Sequence, residues 1–169
     1  MSEIQEENCH VQLTTEHLDA KVVMNRVRSP QAGAIVLFAG TTRDNFAGKA
    51  VKELQYSAYQ PLALRTMMAI AKDVLAKHSL HGIDIVHRLG AVPIGEESIL
   101  IAVSARHRKA AWLAGEEALE LVKERVEIWK QEMFVGEPGV WRANRDGAMG
   151  QVVDQAEAAP QEHASQPPA

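Results

Sequence analysis

Residues 98–125, SILIAVSARHRKAAWLAGEEALELVKER, change their periodicity midway, and that change decides the fold class. SILIAVS is a short, unbroken apolar run of the kind found in a strand buried on both faces. Beyond Arg106, His107 and Arg108 the spacing becomes helical. Ala111, Ala114, Ala118, Leu121 and Val122 form one stripe, with Glu116, Glu117 and Glu120 on the opposite side. Working outward, residues 83–90 (IDIVHRLG) predict a second strand after Gly82, joined to the first by a turn at residues 93–95. Residues 33–40 (GAIVLFAG) form another apolar run bounded by glycines, which predicts a buried strand, and residues 41–50 read as a long polar loop. Leu54, Tyr56 and Ala58 alternate with polar residues, the period of a half-buried strand. Pro61 suits a first helical turn, and Leu64, Met67, Met68, Ala71, Val74, Leu75 and His78 continue that helix. A further strand is expected over residues 126–134. Near the start, residues 11–13 are a short apolar piece, and Thr14 or Thr15 is the expected cap of a helix carrying Leu18, Val22 and Val23 towards Val27. Strands and helices mixed in this order, with hairpins, predict an α+β fold with a mixed, largely antiparallel sheet.

At 169 residues the chain fits one domain with a real core. Three segments are expected: a flexible acidic N-terminus over residues 1–10, a folded body over residues 11–146, and a disordered Ala-, Gln- and Pro-rich tail over residues 147–169. The net charge of -4 is concentrated at the ends. Glu3, Glu6 and Glu7 before residue 11, and Asp154, Glu157 and Glu162 after residue 147, have no Lys or Arg beside them, which leaves +2 on the body. That is too little for a general nucleic-acid binder, and 5% aromatic content supplies few stacking platforms for RNA. A small anionic ligand fits better. No apolar run reaches membrane-spanning length and the first residues do not read as an address, so a cytoplasmic protein is expected. A single cysteine, Cys9, can build neither a disulfide nor a cysteine-rich metal site.

The chemistry therefore has to rest on other groups. Arg106, His107 and Arg108 stand where a buried strand meets a helix N-terminus, and free N–H groups with cationic side chains make an anion site there. Arg43 follows another buried strand, where loops carry ligand contacts. Lys123 and Lys130 are candidates because a lysine can act as acid, base or nucleophile where burial or nearby cations depress its pKa. His87 and Arg88 at a strand end give a weaker signal. Solvated surface charge is the competing account of each of these residues taken alone.

In combination, GAIVLFAGTTRDNFAGK, LQYSAYQPLA, HRLGAVPIGEESILIAVSARHRKAA and LVKERVEIWKQE resemble, in order and across residues 11–146, the MoaE family of molybdopterin synthase large (catalytic) subunits. The resemblance implies an α/β-hammerhead type of fold and a sulfurtransferase. The reaction inserts two dithiolene sulfurs into cyclic pyranopterin monophosphate, in molybdenum cofactor biosynthesis. The implied sulfur donor is the thiocarboxylated C-terminal glycine of a small ubiquitin-like subunit, with no cofactor or metal. A homodimer of large subunits within a heterotetramer is also implied, with no nucleic acid and no membrane. By position, Lys123 and Lys130 are the implied catalytic residues. Arg43, His107, Arg108, Gln131, Glu132 and Arg145 join them in holding the substrate, with Arg145 able to reach a neighbouring large subunit. Three positions depart from the family pattern: Arg106 replaces a small residue, Glu127 a frequent proline, and Gln131 a frequent second basic residue. A non-catalytic anion-binding or ubiquitin-like-protein-binding module of the same fold is the alternative, and loss of either lysine would have favoured it.

Overall fold

The computed structural model describes residues 2–145 and 148–152. In chain order its elements are β1 (Ser2–Glu6), β2 (Cys9–Thr14), α1 (Ala20–Arg26), β3 (Ala34–Thr41), β4 (Asn45–Phe46), β5 (Lys49–Ala58) and α2 (Gln60–His78). There follow β6 (Gly82–Arg88), β7 (Gly90–Pro93), β8 (Glu97–Ala105), α3 (Arg108–Arg125), β9 (Ile128–Phe134), β10 (Val140–Ala143) and β11 (Gln151–Val152). One sheet has the order β1-β2-β6-β8-β3, parallel only between β2 and β6. The other has the order β11-β10-β9-β5-β4, with β7 also paired to β5, and is antiparallel throughout. The expected α+β class with largely antiparallel sheets is what forms.

The first sheet is covered on both faces, which is why β8 reads as apolar without alternation. Ile99, Ile101, Val103 and Ala105 face a core shared with α2 and α3, whereas Leu100 and Ala102 meet Val23 and Val27 of α1. Strand alternation sends neighbouring residues to opposite faces, so a strand between two apolar layers needs apolar residues at every position. Among the described residues, no helix is long and apolar enough to cross a membrane.

Several sequence expectations are corrected. Residues 2–10 are not a flexible terminus: β1 pairs with β2 in a hairpin turning at Asn8, which has φ 58°. Ile4 packs on the core, and the acidic residues find cations, Glu6 at Lys72 and Glu3 at His10. The cap of α1 is Asp19, whose carboxylate accepts from the N–H groups of Lys21 and Val22, because Thr14 is still in the strand. Within the stretch 41–50, residues 45–50 form a tight hairpin with positive φ at Ala47 and Gly48, the geometry that matches strand twist. Gly33 to Gly40 forms β3 as expected, but at the edge of its sheet and only partly buried. Of the expected tail, residues 151–152 form β11 against β10, while residues 147 and 153–169 lie outside the described residues.

Between α1 and the first sheet lies a buried ionic cluster. The Asp84 carboxylate, fully buried in β6, bonds His10 Nδ1 at 2.7 Å and Arg26 Nη1 at 3.1 Å, and His10 Nε2 lies 3.2 Å from Glu3. Burial alone would lower the His10 pKa, but the hydrogen bond and charge of Asp84, together with Glu3, outweigh it and raise it above 6.5. A raised native pKa means that protonated His10 stabilises the fold below its ordinary value, and that this contribution is lost as pH rises through the native one. Replacing His10 with Gln should therefore lower Tm most near about pH 6. The gap to wild type should close towards about pH 9 in thermal melts, and a gap that widens with pH would contradict this account.

Candidate functional site

A cavity of about 410 Å³ opens where β3, the β4–β5 hairpin and α3 meet the inner face of the second sheet. Each wall follows from local sequence. The last turn of α3 contributes Lys123, one turn beyond Leu119, and both line the cavity. In β9, Ile128, Lys130, Glu132 and Phe134 share the inward face, since alternate residues of a strand point the same way. Across the ladder, Tyr56 stands opposite Lys130 and Leu54 opposite Glu132. Arg43 enters from the end of β3, and Phe46 from the hairpin that replaces the expected loop.

Among the described residues, the cavity lining carries three cationic side chains, Arg43, Lys123 and Lys130, and one carboxylate, Glu132. Glu132 is only 1% exposed, so its charge has to be compensated by neighbours. Arg142, opposite Lys130 in the β9–β10 ladder, donates from Nε to Glu132 Oε2 at 3.0 Å. Lys130 Nζ stands 4.0 Å from Oε1. The Arg142 guanidinium is itself fixed, lying 5.0 Å over the Phe46 ring and donating from Nη1 to the Ala148 carbonyl at 3.0 Å. Glu132 thus sits between two cations and sets part of the field at Lys130.

The uncharged wall is built from Tyr56, His87 and Asn144. The imidazole and phenol rings meet edge-on, with centroids 5.0 Å apart at 68°. Burial raises the Tyr56 pKa, aided by the Glu132 charge and opposed by a hydrogen bond with Ser98. His87 bonds the Arg88 carbonyl through Nδ1 at 2.8 Å and the Asn144 amide at Nε2 at 3.1 Å. Among the described residues, no group of three His, Cys, Asp or Glu side chains could hold a metal ion.

Of the residues singled out in the sequence, Arg43, Lys123, Lys130 and Glu132 come together in this cavity. Gln131 does not: it lies on the other face of β9, beside Gly139 and with Met133, as strand alternation requires. His107 caps α3 at the far end from Lys123, about 24 Å away along the axis at 1.5 Å per residue, and Arg108 is beside it, both exposed. Arg145 is exposed just beyond Asn144 and outside the cavity lining. Sequence reading missed Tyr56, Phe46, Arg142 and Asn144, and gave little weight to His87. A histidine following Ile85 and Val86 in a predicted strand was the available signal for His87; β10 is too short to announce Arg142 or Asn144.

Comparisons with known proteins bear on the family and the fold. The MoaE protein family profile matches residues 13–125. The molybdopterin synthase catalytic subunit of Sclerotinia sclerotiorum is 69% identical over 156 residues, covering 92% of this chain and 80% of that protein. Its counterpart in Neurospora crassa is 63% identical, covering 91% and 75%. Molybdopterin synthase from Staphylococcus aureus superposes with a TM-score of 0.73 at 33% identity, covering 77% of this chain and 94% of that one. The Helicobacter pylori molybdopterin-converting factor, solved as a complex of its subunits 1 and 2, shares the fold at TM-score 0.62 and 21% identity, covering 75% and 90%. With a profile match over most of the folded region and relatives above 60% identity along nearly its whole length, this chain belongs to the MoaE family.

Proposed function

We propose that the chain is the catalytic subunit of a molybdopterin synthase, converting cyclic pyranopterin monophosphate to molybdopterin with two sulfurs from a thiocarboxylated small subunit. The observation that carries this reading is the convergence of Lys123 from α3 and Lys130 from β9 on one cavity that also holds Arg43. The precursor is an anion and so is the thiocarboxylate. Bringing two anions together requires cations on both sides, and holding them there converts a bimolecular encounter into a positioned one. Lys123 is the principal catalytic residue in this reading. Lys130, with Glu132 and Arg142 fixing its surroundings, answers the charge that develops on the thiocarboxylate and the leaving oxygen. Sulfur comes from the partner and no cofactor takes part. The chain works in the cytoplasm as the central dimer of a heterotetramer.

The placement of His107 and Arg108 supports the dimer. If they hold the substrate, the substrate is bound by another copy of the chain, because α3 keeps them about 24 Å from their own Lys123. Between the two ends α3 presents Trp112 and Leu113, 66% and 48% exposed, beside a groove of about 300 Å³ lined by Val36, Phe38 and Leu119. Antiparallel apposition of two α3 helices about a two-fold axis covers this apolar face and sets His107 and Arg108 of each copy against Lys123 of the other. Arg145 then lies free to reach the neighbouring site.

Incubation with a thiocarboxylated small subunit and precursor should give dithiolene product, and Lys123→Ala should abolish it without lowering Tm. Turnover at the wild-type rate would remove Lys123 from the mechanism, and no product from the wild-type chain would favour a non-catalytic binding module. A mixing experiment tests the shared site. Lys123→Ala and His107→Ala chains, each inactive alone, should recover about a quarter of wild-type activity when unfolded and refolded together, since about half the dimers are mixed and each carries one intact site. Absence of recovery, with dimers seen by light scattering, would confine the site to one chain.

A further inference from the structure

The imidazole of His87 has no part in the lysine chemistry above, yet it belongs to the cavity wall and is almost fully buried. Its Nδ1 faces the Arg88 carbonyl oxygen at 2.8 Å, and a carbonyl can only accept, so the ring proton is on Nδ1. Burial lowers the His87 pKa to about 4, against the opposing effect of the Arg88 bond, so the ring is neutral near pH 7. Nε2 therefore offers a lone pair, and Asn144 Nδ2 donates to it at 3.1 Å. This one proton placement fixes the orientation of the amide. Turning Asn144 over would set its carbonyl oxygen against the Nε2 lone pair, or would demand a buried imidazolium.

Asn144 is held from its backbone as well, its N–H donating to the Ile128 carbonyl at 3.0 Å. The residue is thus tied to β9 through its backbone and to β6 of the other sheet through its side chain. Tyr56 packs edge-on against the imidazole. With Nδ2 committed to His87, the amide edge turned away from the ring is Oδ1, an uncharged acceptor in a wall otherwise dominated by Arg43, Lys123 and Lys130.

We propose that His87 is a positioning residue which turns the Asn144 carboxamide so that Oδ1 faces the cavity and accepts a hydrogen bond from an N–H group of the heterocyclic substrate. This rests on the reading of the cavity as a pyranopterin site: a fused nitrogen heterocycle carries N–H donors on one part and its phosphate on another. The cations answer the phosphate, and a neutral acceptor answers the ring without adding a second buried carboxylate beside Glu132.

The test uses the full chain with thiocarboxylated small subunit under single-turnover conditions. His87→Phe, which cannot accept from Asn144, and Asn144→Leu should each raise the precursor concentration for half-maximal rate by about three- to tenfold, the loss of one neutral hydrogen bond. The limiting rate should stay within about twofold, and His87→Gln, whose Oε1 can accept from Asn144, should restore most of the affinity. In parallel, nitrogen NMR should find His87 protonated on Nδ1 and not titrating between about pH 5.5 and 8. Among the described residues, the charged and titratable groups sharing its cavity are Arg43, Tyr56, Glu132, Lys123 and Lys130, and Asn144→Asp, which sets a carboxylate directly on Nε2, should bring its titration up into that window. Unchanged half-saturation in folded His87→Phe and Asn144→Leu, or an Nε2 proton in the wild type, overturns the proposal. A wild-type chain that makes no product overturns the functional reading and the substrate role with it, while the NMR measurement still decides whether His87 orients Asn144.

Discussion

The position of the site depends on how closely α3 lies on its sheet. The helix meets β3 and β8 through Ala111, Ala114, Gly115 and Ala118, all buried, so its axis can approach the strands closely. At Gly115 even a methyl group would stand 3.2 Å from Val36 Cγ1 and 3.7 Å from Val103 Cγ2, which leaves the helix little freedom to roll or slide. A rod seated this way fixes both of its ends at once. Its last turn holds Lys123 over the cavity and its first turn holds His107 and Arg108 at the opposite end. The spacing of these side chains is a property of the packed helix and cannot be adjusted by side-chain motion, whose reach is only a few ångströms.

The second sheet supplies what the helix cannot. Its inner face alternates apolar anchors with charge: Ile128 and Phe134 are buried in β9 and hold Lys130 and Glu132 between them. A carboxylate as buried as Glu132 is strongly unfavourable by itself and persists only with compensation, which Arg142 gives directly and Lys130 at longer range. Glu132 in return keeps cationic groups together that would otherwise repel. This arrangement is conditional on β10, since Arg142 comes from there, and on the β4–β5 hairpin, whose Phe46 ring lies under the guanidinium.

Two buried histidines illustrate how neighbours decide the charge. His10 and His87 are both shielded from water, and burial opposes protonation in each. His10 contacts the carboxylates of Asp84 and Glu3 and ends above the ordinary value; His87 contacts a carbonyl and an amide and ends near 4. In the first, the charged form that joins β1, β2 and β6 is favoured, and the second is a neutral ring with one donor and one acceptor. Burial alone would have predicted the same behaviour for both.

Sequence reading recovered what local periodicity encodes: β8, α2, α3 and β9 were legible because each repeats its period long enough to be read. It failed where an element's reason lies elsewhere in the chain. β1 looks like a mobile acidic terminus because its partners, the edge of β2, Lys72 and His10, are supplied by tertiary structure. The strands β10 and β11 are too short to carry a period, so Arg142 and Asn144 had no visible context. The family motifs raised a different difficulty. The resemblance groups His107 and Arg108 with Lys123 as implied site residues, but a motif transfers positions along a chain and says nothing about which copy of the chain uses them. The 18 residues of α3 impose a distance that one chain cannot close. On the proposed reading, a site that uses both ends of that helix is built from two helices, and the apolar face between the ends is where we propose that the second helix packs.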